Sequence, residues 1–148
     1  MTTVQNLLDE KPESKVVTIH AGATVLDALQ VLEEANTGSI LVTENEKIIG
    51  IFTERDYARL GEVKGRYAKD TLVRELMTEQ MVMVHPETSL EECAELMRRF
   101  HVRHLPVLKN NRVVGVVSIR RLAEALLQEK QGEIVKLENY ILGTGYGE

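Results

Sequence analysis

The sequence predicts an α/β protein in which one small unit, strand-helix-strand-strand-helix, occurs twice and its two copies pack about a pseudo-twofold axis. Three observations carry this reading. First, the chain repeats itself without a gap at an offset of 65 residues (Gly50 to Gly115): Val16–Tyr57 aligns with Met81–Leu122. His20 then falls on His85, Val42 on Val107, Asn45 on Asn110 and Arg55 on Arg120. A period above about 50 residues is too long for a helical solenoid and marks a small domain present twice. Second, apolar spacing switches between strand and helix periods in the same order in both copies. Third, each copy is too short to bury a sufficient core alone, which favours mutual packing. The expected boundaries are 8–67 for the first unit with its linker, 73–131 for the second, and 132–148 for a tail.

The elements follow in order. Val4, Leu7 and Leu8 form a short helical patch before Pro12. KVVTI (15–19) reads as a strand, and the turn through Ala21 and Gly22 ends at Thr24, an N-cap. Val25, Ala28, Leu29 and Leu32 lie at i, i+3, i+4, i+7, the stripe of a helix that stops before Gly38. SILVT (39–43) and IIGIF (48–52) are strands joined by the polar turn ENEK, and Thr53 caps the next helix. The second copy gives a strand at MVMV (81–84) and a helix capped by Ser89, with Leu90, Cys93, Ala94, Met97 and Phe100 as its apolar stripe. The strands HLPVL (104–108) and VVGVV (113–117) follow, joined by KNNR. Ser118 caps a last helix that buries Leu122, Ala125 and Leu126. Gly61–Asp70 is a charged linker, and VRELMT (73–78) leads into the second copy. Ile134, Leu137 and Ile141 suit one docking turn in the tail, with GTGYGE frayed.

Composition narrows the function. The 148 residues are 43% hydrophobic, enough for a core. A net charge of −5 disfavours a dedicated binder of nucleic acid or anionic membrane. The arginines at 98, 99, 103, 120 and 121 keep a nucleic-acid reading open, but two Phe, four Tyr and no Trp supply no stacking row. The single cysteine, Cys93, excludes an internal disulfide and reads as a buried thiol. No leader pattern and no membrane-length apolar run occur, so the cytoplasm is expected. Phosphate-loop, dinucleotide and zinc-hydrolase motifs are missing, and His101 and His104 flank Arg103, which disfavours a metal site.

Two clusters ask for an explanation. Arg103 and His104 sit where the chain passes from a helix into a strand. They either offset the negative pole of the helix end or clamp a phosphate, for which the guanidinium fork is suited. Thr53 and Asp56 open a helix after a buried strand. They are either a capping box or a hydroxyl and carboxylate ready for a ribose diol. The repeat sharpens the comparison. Thr53 aligns with Ser118, Asp56 with Arg121, Ser39 with His104 and Gly38 with Arg103, so the copies share an apolar frame and differ at polar positions. One expected cleft joins Thr53 and Asp56 with Arg103 and His104. Its twin holds Ser118 and Arg121 and has lost the diol acceptor.

GIFTERD (50–56), GVVSIRR (115–121), RHLPV (103–107) and VRELMT (73–78) together resemble a CBS-domain pair, or Bateman module, over about 8–130. IVKLENYI (134–141) resembles the tail of small stand-alone bacterial members. The resemblance implies a flat two-fold unit that often dimerises, with clefts for AMP, ADP, ATP, S-adenosylmethionine or NAD(H). It makes Asp56 the ribose ligand, assisted by Thr53, and Arg103 and His104 the phosphate contacts. Val82 and Met83 then line an adenine slot that Leu105 and Pro106 close. Arg121 replaces the acid in the second cleft, where it holds a phosphate or pairs with a surface acid. The expected function is a non-enzymatic adenine-nucleotide sensor without catalytic cofactor, a homodimer acting through a regulated protein or its own assembly. The alternative is a structural or interaction module that binds no nucleotide.

Overall fold

A computed structural model describes residues 2–10 and 16–142. The chain forms two compact units. One is made by the chain from the start of the first strand to Val82, together with Val113–Gly115. The other is made by Met83–Arg112, the chain from Val116 on, and the N-terminal segment.

In the first unit, β1 (Thr18–His20) pairs in parallel with β2 (Ser39–Glu44), which pairs antiparallel with β3 (Lys47–Thr53). The β2–β3 turn places Asn45 and Glu46 at φ 52° and 65°. Two left-handed residues in succession are what a two-residue type I′ hairpin needs. Helix α2 (Val25–Ala35) starts on a full capping box: the Asp27 amide donates to Thr24 Oγ1 at 3.1 Å, and the Thr24 amide donates to Asp27 Oδ2 at 3.2 Å. It ends at Asn36 in the left-handed region. After β3 come the short helix α3 (Glu54–Asp56), a π-helical turn (Tyr57–Glu62), a 3₁₀ turn (Ala68–Asp70) and α4 (Val73–Leu76). The core packs Val25, Ala28 and Leu32 of α2 against Ile40, Val42 and Phe52 of the sheet.

The second unit repeats this frame. Helix α5 (Leu90–Phe100) is capped by Ser89, whose Oγ accepts the Glu92 amide at 3.1 Å. The strands β4 (His104–Lys109) and β5 (Arg112–Ser118) form the second sheet, and their turn holds Asn110 and Asn111 at φ 52° and 63°. Its buried Leu90, Cys93, Met97, Leu105, Val107 and Val117 occupy the places of Val25, Ala28, Leu32, Ile40, Val42 and Phe52. The strand-helix-strand-strand-helix order is therefore present in the first repeat, and the second follows it from its helix onward, with a single bridge at Val84 in the place of the first strand.

Each unit takes in a short helix from outside its repeated stretch. In the first unit, Val73 of α4 donates its amide to Ala23 O at 2.9 Å, and Val25 donates to Thr71 O at 2.8 Å. In the second, α1 (Val4–Glu10) does the same: the Val4 amide donates to Thr88 O at 2.9 Å, and Leu90 donates to Thr2 O at 3.2 Å. Val4 and Leu7 thus fill the positions of Val73 and Leu76, all four buried. The patch at Val4 and Leu7 belongs to the second unit, and VREL to the first.

Three sequence-based expectations change. MVMV (81–84) is not a strand; only Val84 bridges, to Val107. Leu41 donates its amide to Val17 O in the first unit, and its counterpart Pro106 has no N–H, so the ladder stops short. The first strand runs over Thr18–His20 instead of 15–19, and Lys15 lies outside the described residues. The tail is not a separate docking turn: helix α6 (Ile119–Leu142) runs for 24 residues through Gly132. GTGYGE lies outside the described residues.

Candidate functional site

Each unit sets a polar group where its second strand starts beside a helix N-terminus. In the first, Ser39 pairs in register with Thr53, and Glu54 donates its amide to Gly38 O at 3.3 Å. In the second, Ile119 donates its amide to Arg103 O at 2.8 Å. Strand entry and helix start are thereby tied together in both, and the aligned residues sit at corresponding places.

Thr53 and Asp56 form a complete capping box. The Asp56 amide donates to Thr53 Oγ1 at 3.1 Å, and the Thr53 amide donates to Asp56 Oδ2 at 3.0 Å. One carboxylate oxygen is thus fixed, and the other takes no part in the box. Burial pushes the Asp56 carboxyl above its ordinary range, against the opposing pull of its Thr53 bonds and of the Arg59 and Arg55 charges. Arg59 went unnoticed in the sequence. Its place on the π-helical turn, three residues beyond Asp56, was the available signal.

In the second unit, Arg103 is exposed and His104 is half-buried. Burial holds the His104 imidazole below its ordinary value, and neighbouring Arg103 adds to this. His104 is therefore neutral near pH 7 and offers one ring N–H, not a second cation. Leu105 and Pro106 are buried, while Met83 is half-exposed in the irregular segment before Val84. Ser118 Oγ accepts the Arg121 amide at 3.2 Å as a helix cap. The Arg121 guanidinium reaches Glu10 Oε2 at 2.8 Å and Leu7 O at 3.5 Å, so this side chain fastens α1. Glu10 was the surface acid the sequence left unnamed, because it lies 111 residues away.

The predicted residues thus divide. Thr53, Asp56 and Val82 belong to the first unit; Met83, Arg103, His104, Leu105, Pro106, Ser118 and Arg121 belong to the second. Within the arginine cluster, Arg98 pairs with Glu95 at 2.6 Å, Arg120 with Glu124 at 3.6 Å and Arg121 with Glu10. Arg99 lies over the Phe100 ring. Among the described residues Arg103 enters no ion pair. Arg66 of the linker is tied to Glu75. Among the described residues no group of three or more His, Cys, Asp or Glu side chains is placed to hold a metal ion. Cys93 is buried and its thiol is pushed up to about 11, chiefly by burial.

The CBS domain family model matches residues 8–62 and 73–128, and the chain belongs to the CBS-domain family as a tandem pair, a Bateman module. It is 38% identical over 128 residues to the mitochondrial CBS domain-containing protein CBSX3 of Arabidopsis thaliana, covering 83% of this chain and 62% of that one. It is 33% identical to the CBS domain-containing protein YhcV of Bacillus subtilis, over 74% of this chain and 78% of the relative. Among solved structures it is similar to a CBS-domain protein from Burkholderia ambifaria, with TM-score 0.82, 37% identity, and 86% and 95% of the two chains covered. The CBS domain pair of protein MJ0100 shares the fold alone, at TM-score 0.74 and 21% identity, over 87% and 98% of the two chains. No helix among the described residues is long and apolar enough to cross a membrane. The chain is thus a CBS-domain pair.

Proposed function

We propose that this module binds an adenosine-containing ligand and reports its level, with Thr53 and Asp56 taking ribose hydroxyls and Arg103 taking phosphate. His104 adds one hydrogen bond, Val82 and Met83 meet the adenine with backbone groups, and Leu105 and Pro106 back them. The observation that carries this is the Asp56 carboxylate: it is held by the Thr53 amide through one oxygen, with the other outside the box, in surroundings that burial has made less watery. Hydrogen bonds to a charged group in such a place contribute about 1.5–3 kcal/mol each. Arg103, without an acidic partner among the described residues, offers its fork to a single phosphate. Supporting the class of ligand, the MJ0100 pair was solved with 5′-methylthioadenosine and S-adenosyl-L-methionine. AMP, ADP, ATP, NAD(H) and S-adenosylmethionine are the candidates. The output passes to a regulated protein or to self-assembly of a cytoplasmic homodimer, because a ligand shifts only an equilibrium whose states it binds unequally.

Calorimetry with AMP, ATP, NADH and S-adenosylmethionine tests this on wild type, Asp56→Asn and Arg103→Ala. The expected result is a loss of one to two orders of magnitude in affinity for Asp56→Asn with any of these ligands. For Arg103→Ala it is a comparable loss confined to the phosphate-bearing ones. Unaltered binding in both variants removes these residues from the site. The second reading, an interaction module without nucleotide, is favoured by one observation: Thr53 and Asp56 already satisfy each other as a cap. A thermal-shift screen separates the two, since ligand at 100 times its Kd stabilises by about 2.7 kcal/mol.

A further inference from the structure

We propose that Tyr57 and Gly61 are positioning residues of the ribose contact: the Tyr57 ring, seated against Gly61 in the π-helical turn, holds Asp56 in the pose that takes a ribose diol. This rests on the assignment of Asp56 to the ribose, and every residue involved belongs to the first unit. Tyr57 serves two elements at once. Its amide donates to Glu54 O and closes α3, the short helix that carries Asp56. Its ring packs against the core of the first unit, and its hydroxyl donates to Glu62 Oε2 at 2.7 Å. Gly61, at i+4 and buried, lies against that ring. A Cβ on Gly61 would stand 2.5 and 2.8 Å from Tyr57 Cδ1 and Cε1, and 3.1 Å from Arg66 O. Gly61 cannot simply back away, because its carbonyl accepts the Arg66 amide at 2.8 Å. The ring is what must move.

The repeat ties this arrangement to the site. Both copies start alike, with hydroxyl caps at Thr53 and Ser118. They part at the third helical position. The first copy carries Asp56 and then the π-helical turn, in which Val63 donates its amide to Ala58 O at 3.4 Å in the i→i+5 pattern. The second carries Arg121 and then unbroken α-helix to Leu142, with Leu122 in the place of Tyr57 and Leu126 in that of Gly61. The acid, the wide turn, the ring and its glycine thus occur together in one copy, and the other replaces them all. Such turns are rare and recur at functional sites. Glu54–Asp56 is too short to hold its own shape, so a displaced Tyr57 ring turns Asp56 with it.

Calorimetry with AMP and with 2′,3′-dideoxy-AMP reads the ribose contact. Wild type is expected to favour AMP about tenfold, the effect of one charge-assisted bond, and Asp56→Asn to lose that preference. Gly61→Ala is expected to lose it too, with AMP weakened about tenfold and the dideoxy nucleotide unchanged. Tyr57→Leu, which installs a smaller apolar side chain, is expected to give the same result and stands in should the Gly61→Ala protein not fold. Partial unfolding weakens both nucleotides by one factor and leaves their ratio alone. A wild-type ratio in Gly61→Ala or, where that protein does not fold, in Tyr57→Leu, with the ratio lost in Asp56→Asn, overturns this inference and leaves the ribose reading standing. A ratio near one in wild type, or a ratio that Asp56→Asn keeps, overturns the ribose reading and this inference with it.

Discussion

Gly50 is the position at which one methyl group does most harm. A Cβ built there would lie 2.7 Å from Met77 Sδ and 2.9 Å from Thr78 O. The thioether can swing aside, but the carbonyl is backbone and is already engaged. Ile51 donates its amide to Thr78 O at 3.0 Å, and Thr78 donates back to Ile51 O at 2.8 Å. Relief of the clash therefore pushes the 77–78 segment off β3 and weakens both bonds. Overpacking costs about 1–3 kcal/mol, and each weakened bond adds up to about 1 kcal/mol. Gly50→Ala is expected to lose about 2–4 kcal/mol in urea unfolding, seen as a lower midpoint at constant slope. A variant within about 0.5 kcal/mol of wild type would show that the 77–78 segment after α4 is not held where Gly50 admits it.

Other expectations follow from the same geometry. Gly132 meets nothing within 4 Å on addition of a Cβ, so Gly132→Ala should increase helical ellipticity and stabilise α6 by about 0.5–1 kcal/mol; a loss of helix signal would contradict a continuous α6. His104 has its folded pKa below the ordinary 6.5, so its contribution is fully present above pH 6.5 and declines as pH falls below it. Thermal unfolding between pH 8 and 5 should show a shallower decline for His104→Gln than for wild type, and parallel curves would refute this. Asp56 is the opposite case: its folded pKa is raised above 3.8, so its ionisation removes stability as pH climbs through the folded value. Asp56→Asn, which keeps an oxygen for the Thr53 amide, should match or exceed wild-type stability at pH 7. Asp56→Ala, which loses that acceptor, should fall by about 1 kcal/mol in the same unfolding assay.

The core was legible because it is written twice. Val25 and Leu90, Val42 and Val107, or Phe52 and Val117 carry the same burial at the same offset, and alternation of period named the elements between them. The caps at Thr24, Thr53, Ser89 and Ser118 were equally plain, since each is a hydroxyl before an apolar helix face. What stayed hidden depended on single residues or on distance. Pro106 lies far from the strand it shortens, and its effect is the loss of one donor. The lead-in helices recur at an offset of 69 (Val4 to Val73), and the first of them joins the unit remote from it in sequence, so a register of 65 passes over them. Arg121 reads as a candidate phosphate ligand until Glu10, more than a hundred residues away, is seen beside it. Gly132 suggests a break, yet a glycine amid good helix formers costs only about 1 kcal/mol and does not end a run.

The borrowed helices bear on how the molecule is made. While it is being synthesised, the segment carrying Val4 and Leu7 leaves the ribosome well before its partners and must wait with its apolar side chains unsatisfied until Thr88 and Leu90 have emerged. Closing that long loop is entropically slow, whereas Val73 reaches Ala23 sooner. Trimming the first ten residues should then leave the earlier unit sound and unsettle the later one, the reverse of what their nearness to the cut suggests.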